Sequence, residues 1–287
     1  MAISRAQLAK ELEPGLNALF GLEFGRYENE HSEIFEEESS DRAFEEEVML
    51  GGFATAPVKS EGGAVSFDDA QETYTARYTH ETIALAFSIT EEAIEDNLYD
   101  RLASRYTKAL ARSMATTKQI KAASILNNAF STGANVIGDG AALCSAAHPS
   151  LSGSQTNLLS TAADLNETSL EQMLIDIAGF TDERGLKIAV RGTKLIIPKE
   201  LQFIAERVMN SALRSGTSDN DNNAMKNMGM LPEGAVVNHY LTDTDAYFIK
   251  TDAPNGFKYF NRAAIKTAME GDFDTGNMRF KARERYS

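Results

Sequence analysis

Residues 143–157 read LCSAAHPSLSGSQTN and hold the single cysteine, Cys144, four residues before one of four histidines, His148. A thiol and an imidazole at that spacing suggest two chemistries. As nucleophile and base they need hydrogen-bond reach and a third group that orients the base. The spacing offers no orienting acid beside His148, which Pro149 follows. As zinc ligands they need further donors. There is no second cysteine, and His31, His80 and His239 are scattered. The stretch therefore reads as a structural loop. The competing reading, a small soluble enzyme using Cys144, requires a reactive thiol of low pKa.

Other candidates are weaker. The run EIFEEESSDRAFEEE lacks the spacing and glycine of an EF-hand and reads as a solvated arm. Asp243, Asp245 and Asp252 read as turn residues, and DERG (182–185) and GDFD (271–274) as plain turns. No GxGxxG, Walker, GxSxG or HExxH pattern is present. The sequence thus predicts no catalytic residue, no cofactor and no metal site.

The totals narrow the class. With 287 residues and 43% apolar content, the chain is long enough to bury a sizeable core. One cysteine excludes an internal disulfide. The N-terminus shows no apolar signal-peptide core, and no apolar run is long enough to span a bilayer, so no membrane role is expected. A net charge of −14 argues against gripping nucleic acid over most of the surface. That charge is uneven. Residues 23–47 carry eleven acids against Arg26 and Arg42, whereas RFKARERYS at the C-terminus is basic. The two segments could attract one another, within or between subunits.

The elements that must position these residues follow from periodicity. Residues 1–45 read as an arm, with a short helical pattern broken at Pro14-Gly15 and too much charge to hold a core. Residues 46–89 read as an extended hairpin with a glycine-rich tip around Lys59, Glu61, Gly62 and Gly63. ETYTARYTHETIALAFSI alternates along its length as one long strand. Such a two-stranded excursion is marginal alone in water and needs a surface to lie on. Residues 90–130 contain neither Gly nor Pro and read as one long helix, spanning about 60 Å at 1.5 Å per residue. It is capped by Thr90 or by a Ser88–Glu91 box, with Ile94, Leu98, Leu102, Tyr106, Leu110 and Met114 as an apolar stripe. The chain then becomes α/β. A helix opens at a Thr168–Glu171 box, TKLIIP is a buried strand, and KELQFIAERVMNSAL is an amphipathic helix. Residues 214–229 form a polar loop. AVVNHYL, AYFIK and FKYF are strands, AIKTAMEGDF is strand or helix, and MRFKARERYS is a last strand.

FSITEEAIEDN running into a long helix, the hairpin before it, the loop with His-Pro and a later Asn, KLIIPKELQFIAERVMNS, LTDTDAYFIKTDAPNGFKYFNR and the terminal RFKARERYS occur in a telling order. In that order they resemble a tailed-bacteriophage major capsid protein of the Hong Kong 97 fold, nearest to the phage Mu major head subunit group. The resemblance covers nearly the whole chain. It implies an α+β fold with an N-terminal arm (1–45), an E-loop hairpin (46–89), a P-domain with its spine helix (90–140), an A-domain (141–264) and a P-domain return strand (265–287). It also implies a non-enzymatic subunit that self-assembles through hexamers and pentamers into an icosahedral shell. That shell would enclose double-stranded DNA without binding it specifically, assembled in the host cytoplasm and carried in the virion. Scaffolding protein, portal and a decoration protein are the implied partners. The encapsulin, a cellular nanocompartment of the same fold, is the alternative.

In this reading the interface residues are Lys59, Glu61, Gly62 and Gly63 at the hairpin tip and Glu36, Glu37 and Glu38 in the arm. Residues 214–229 would lie near a capsomer axis, and the acidic charge would keep the inner wall from adhering to DNA. Some members of the family cross-link a hairpin lysine to an asparagine of another subunit. Lys59 is suitably placed, but no matching asparagine or glutamate follows from spacing, and no cross-link is expected. Relatives commonly continue beyond the position of Tyr286, so the natural chain is expected to be longer.

Overall fold

The computed structural model describes residues 5–90, 92–93, 99–133, 138–214, 221–272 and 275–287. The elements in order are α1 (Arg5–Phe24), β1 (Glu36–Ser39), β2 (Phe44–Gly51), β3 (Gln71–Thr79), β4 (Glu81–Ile89), α2 (Tyr99–Asn127), β5 (His148–Ser150) and β6 (Gly153–Gln155). There follow α3 (Glu167–Ala178), β7 (Gly192–Ile197), α4 (Gln202–Asn210), α5 (Ala224–Met228), β8 (Ala235–Val237), β9 (Phe248–Thr251), β10 (Lys258–Gly271) and β11 (Met278–Tyr286). No helix among the described residues is long and apolar enough to cross a membrane. The chain divides into two units, one of residues up to 45, 78–122 and 258–287, the other of 46–77 and 123–257.

The first unit is built on a sheet of order β1-β10-β11-β4, with β1 parallel to β10 and the other pairs antiparallel. The period-two pattern of MRFKARERYS is realised in β11. Phe280, Ala282, Glu284 and Tyr286 are buried while Arg279, Lys281 and Arg283 face solvent. Phe280 and Ala282 pack with Ile89, with Leu16 and Phe20 of α1, and with Leu110, Ala111 and Met114 of α2.

Three expectations change here. The helix at the N-terminus runs through Pro14 instead of breaking there. A proline inside a helix costs about 3 kcal/mol, and burial of Leu16 and Phe20 on one face offsets that cost. The arm is therefore part of a core, not excluded from one. Second, the long alternating stretch 72–89 is two strands. β3 pairs with β2, whereas β4 pairs with β11. The break falls at His80, which is buried, with one ring nitrogen 2.9 Å from Ser40 Oγ and the other 2.9 Å from Ser287 Oγ. The hairpin expected over 46–89 is thus confined to β2 and β3. Third, α2 buries Ala103, Thr107, Leu110, Ala111 and Met114, while Tyr106 is half-exposed. A strict four-residue stripe rotates about 40° per step on a helix of 3.6 residues per turn, so it leaves the buried face. At the start of this segment Thr90 Oγ1 accepts the Ala93 N–H at 3.4 Å, in keeping with the Thr90 cap. Glu91, Ile94 and Leu98 lie outside the described residues.

The acidic segment is also ordered by pairing. Glu36 to Ser39 run parallel to Lys258 to Asn261, and Glu38 lies 3.6 Å from Lys258. Just before them His31 is buried. Its backbone N–H donates to Gln119 Oε1 at 2.9 Å, and Gln119 Nε2 sits 3.0 Å from His31 Nδ1. Nδ1 must therefore accept, which leaves the proton on Nε2, 3.2 Å from Glu37 Oε1. A protonated ring would need an acceptor at Nδ1, and turning the Gln119 amide over would cost its bond to the backbone. Burial first, then the nearby Lys118 ammonium, pull the His31 pKa below its ordinary 6.5, against the opposing Glu37 carboxylate.

Within the same core Lys118 Nζ meets buried Glu284 at 2.8 Å and lies over the rings of Phe24, Tyr259 and Tyr286. Burial raises the Glu284 pKa, and the Lys118 ammonium opposes that shift.

In the second unit β7 is the centre of a three-stranded sheet, flanked by parallel β8 and antiparallel β9. Leu195 and Ile197 of β7 pack with Leu170 and Leu174 of α3, Ala205 of α4 and Met225 of α5. The box at the start of α3 is Asn166 with Ser169, two residues before the expected Thr168–Glu171 pair. Asn166 caps because its short amide reaches the Ser169 N–H at 2.9 Å while Ser169 Oγ accepts the Asn166 N–H at 3.0 Å. AIKTAMEG is strand, as part of β10. Of the polar loop 214–229, residues 215–220 lie outside the described residues, and Ala224–Met228 form the short helix α5.

A prediction follows from His31. With its folded-state pKa below 6.5, the unfolded chain takes up the proton first as pH falls, so the arm's docking loses stability below about pH 6.5. Protection factors for amide exchange over residues 25–40, referenced to the intrinsic rate at each pH, are expected to fall between pH 7 and pH 5. His31→Leu should remove most of that fall, and an equal pH response in the variant would assign it to other groups.

Candidate assembly interface

Beyond the β2–β3 ribbon, residues 52–70 contain no helix or strand. Four apolar side chains stand out from this extension: Val58 is 99% exposed, Phe67 96%, Val65 65% and Phe53 59%. Lys59, Glu61 and Gly62 are exposed as expected, and Gly63 is partly covered. The tip turns at Ser60–Gly63, where the Gly63 N–H donates to Ser60 O at 3.1 Å. Gly62 occupies the left-handed region at φ 76°, which a glycine adopts without steric penalty. Further down, the Ala54 N–H donates to Asp68 Oδ2 at 2.7 Å and holds that carboxyl below its ordinary range.

The root of the hairpin is fastened more firmly. Thr73 Oγ1 donates to Met49 O at 3.1 Å, and Arg77 pairs with Glu46. The Tyr74 hydroxyl donates to the carbonyl of Pro149. A Cβ on Gly138 would stand 3.2 Å from Tyr74 Cβ, and one on Gly51 would stand 3.0 Å from Leu151. The ribbon thus lies on the loop that contains Cys144 and His148. The turn 182–185 completes this platform. Ser152 N–H donates to Glu183 O at 2.9 Å, and Gln155 Nε2 donates to Asp182 O at 2.9 Å. From that turn Arg184 reaches Gly52 O and Asp69 O.

The loop itself is tied by Asn157. Its amide donates to Leu143 O at 2.7 Å and accepts the Ser145 N–H at 2.8 Å, bracketing Cys144. The Cys144 N–H donates to Ala129 O at 2.8 Å. Burial pushes the Cys144 thiol up to about 11, the opposite of an activated thiolate. His148 does have an orienting acid, which its immediate neighbours did not reveal. Asp139 Oδ2 lies 2.7 Å from Nδ1, while the buried Nε2 makes no hydrogen bond among the described residues. The Asp–His pair secures the loop, and among the described residues no hydrogen bond links it to the Cys144 side chain. Among the described residues no group of His, Cys, Asp and Glu side chains is arranged to hold a metal ion.

Glu36, Glu37 and Glu38 belong to the other unit, in β1. The residues that sequence reasoning missed are Tyr74 and Arg184. Both bond to backbone carbonyls, which every residue type supplies, so no side-chain pattern marks their partners.

An α+β body carrying a long, uncovered hairpin is the plan of a Hong Kong 97-type shell subunit, and comparison with solved structures shows that fold. The capsid of bacteriophage JBD30, decorated with minor capsid protein trimers, matches at TM-score 0.53 and 12% identity over 73% of this chain and 89% of that one. The virus-like particle of Pyrococcus furiosus matches at TM-score 0.50 and 11% identity, covering 95% and 92%. Mycobacterium phage Cain matches at 0.50 and 10%, covering 91% and 83%. No curated protein matches. Residues 72–287 match the family described as phage capsid protein, and the chain belongs to that family. It is a capsid protein, a structural component.

The loop chemistry predicts an inert thiol. At pH 7.5 the folded chain should react with a disulfide reagent at least ten-fold more slowly than the unfolded chain, and Cys144→Ala should keep its melting temperature within a few degrees. A fast-reacting folded thiol would contradict the burial of this side chain.

Proposed function

We propose that this chain is the major head subunit of a tailed bacteriophage. Copies associate as hexamers and pentamers into an icosahedral shell that encloses double-stranded DNA without specific recognition. The order of motifs supports a place in the phage Mu head subunit group. Scaffolding protein, portal and decoration protein are the partners that such a role entails, with assembly in the host cytoplasm before release in the virion. Residues 214–229 lie near the capsomer axis in this reading.

The observation that carries the proposal is the hairpin. Residues 53–70 expose Phe53, Val58, Val65 and Phe67. Solvent-exposed apolar side chains grouped on one projecting segment mark an interaction surface. The occupant is a second copy of the chain, because a shell of identical subunits presents the same cover to every hairpin. A cellular nanocompartment has the same fold, but the family match favours a virion shell.

Removing residues 56–64 should abolish closed particles in negative-stain images while light scattering reports a soluble subunit or capsomer. Closed shells from the shortened chain would remove the hairpin tip from the assembly contact. Shells that hold a cellular enzyme instead of DNA would identify the nanocompartment.

A further inference from the structure

Arg184 sits on a stiff support. Asp182 Oδ1 accepts the N–H groups of Arg184 and Leu186 at 2.9 and 2.7 Å. Gly185 takes the left-handed φ of 84° that closes the turn, and the Glu183 carbonyl binds the Ser152 N–H. From this support the guanidinium extends to the hairpin. Nε donates to Gly52 O at 3.1 Å and Nη2 to Asp69 O at 2.8 Å.

The two carbonyls are informative. Gly52 follows the last residue of β2, and Asp69 stands two residues before β3 begins. One planar group therefore bridges both strands where their regular pairing ends. Its two donors have a fixed angle, so they set both the separation and the roll of the strands. An ammonium, a single point of charge on a flexible stem, cannot do this. The same guanidinium favours the charged form of the nearby Asp68 carboxyl. Beyond it lie the Ala54–Asp68 bond and the Ser60–Gly63 turn.

We propose that Arg184 is the positioning residue of the hairpin. It clasps the backbone of both strands and sets the direction in which residues 53–70 leave the unit, and so which surface of a neighbouring subunit the tip meets. The second half rests on the shell reading above; the clasp is a property of the single subunit and can be measured without assembly.

The test uses the full, unassembled chain with Cys144→Ser and spin labels on Phe67→Cys and Ile175→Cys, both exposed residues of this unit. Pulsed dipolar spectroscopy should give one narrow distance distribution with Arg184 present. Arg184→Ala should broaden it at least two-fold with little change in melting temperature, and Arg184→Lys should fall between. If the alanine variant does not fold, Arg184→Gln, whose single amide nitrogen cannot span both carbonyls as the guanidinium does, takes its place. Shell yield should fall at least ten-fold in the variant. An unchanged narrow distribution overturns the clasp. A broadened distribution with normal yield of closed shells overturns the link between hairpin direction and neighbour contact. If the unmodified chain never assembles while the variant's distribution broadens, the clasp stands and the shell reading fails.

Discussion

A two-stranded ribbon that projects from its own body gives each strand a single partner, so the side chains beyond its root stay exposed, and such a ribbon alone is only marginally stable in water. That constraint organises the second unit. The far end of the hairpin presents Val58 and Phe67 almost wholly to solvent. The near end is held by Tyr74 on the Pro149 carbonyl and by Arg184 on Gly52 and Asp69. The loop of residues 138–157 beneath it is tied by its own hydrogen bonds. Asp139 on His148 and Asn157 around Cys144 give the ribbon a firm base. Residues that look like a catalytic pair in sequence thus sit in the loop on which the ribbon lies.

The first unit solves a different problem. Its sheet carries a strand of four carboxylate-rich residues at one edge, which cannot contribute an apolar face. Pairing with β10 supplies backbone hydrogen bonds and, through Lys258, opposite charge for Glu38, while the neutral His31 ring offers its Nε2 proton to Glu37. The buried Lys118–Glu284 pair, set under Phe24, Tyr259 and Tyr286, joins α2 to β11 and α1. Ion pairs of this kind pay heavily in desolvation, and removing one partner leaves the other charge buried and uncompensated. Here the arrangement brings the N-terminal helix, the long helix and the C-terminal strand together.

Several local features were legible for physical reasons. The alternation of MRFKARERYS survives in β11 because a strand's side chains repeat every two residues whatever lies around it. The long helix was visible from the absence of Gly and Pro. The Ser60–Gly63 turn was marked by its glycines. What misled were features whose outcome depends on distant partners. Pro14 reads as a break until Phe20 is seen beside Phe280. A stripe repeating every four residues places Tyr106 inside, until the helix's own rotation carries it out. His80 looks like one more residue in a strand until Ser40 and Ser287 are found on its two nitrogens. The turn DERG carries no signal at all for the work of Arg184.

The sequence by itself determined the class of element at most positions, the acidic surface, the absence of a catalytic motif and, through the order of its segments, the kind of protein this is. The first three are local or additive, so composition and periodicity express them directly, whereas the kind of protein rests on the resemblance of those segments to a known family. Only the tertiary structure decided which strand pairs with which, whether the arm joins a core, and what holds the hairpin. Each of these depends on contacts between residues far apart in the chain. Arg184 is 132 and 115 positions from the two backbone groups it holds. A backbone carbonyl has no sequence signature, so such a contact exists only once the chain is folded.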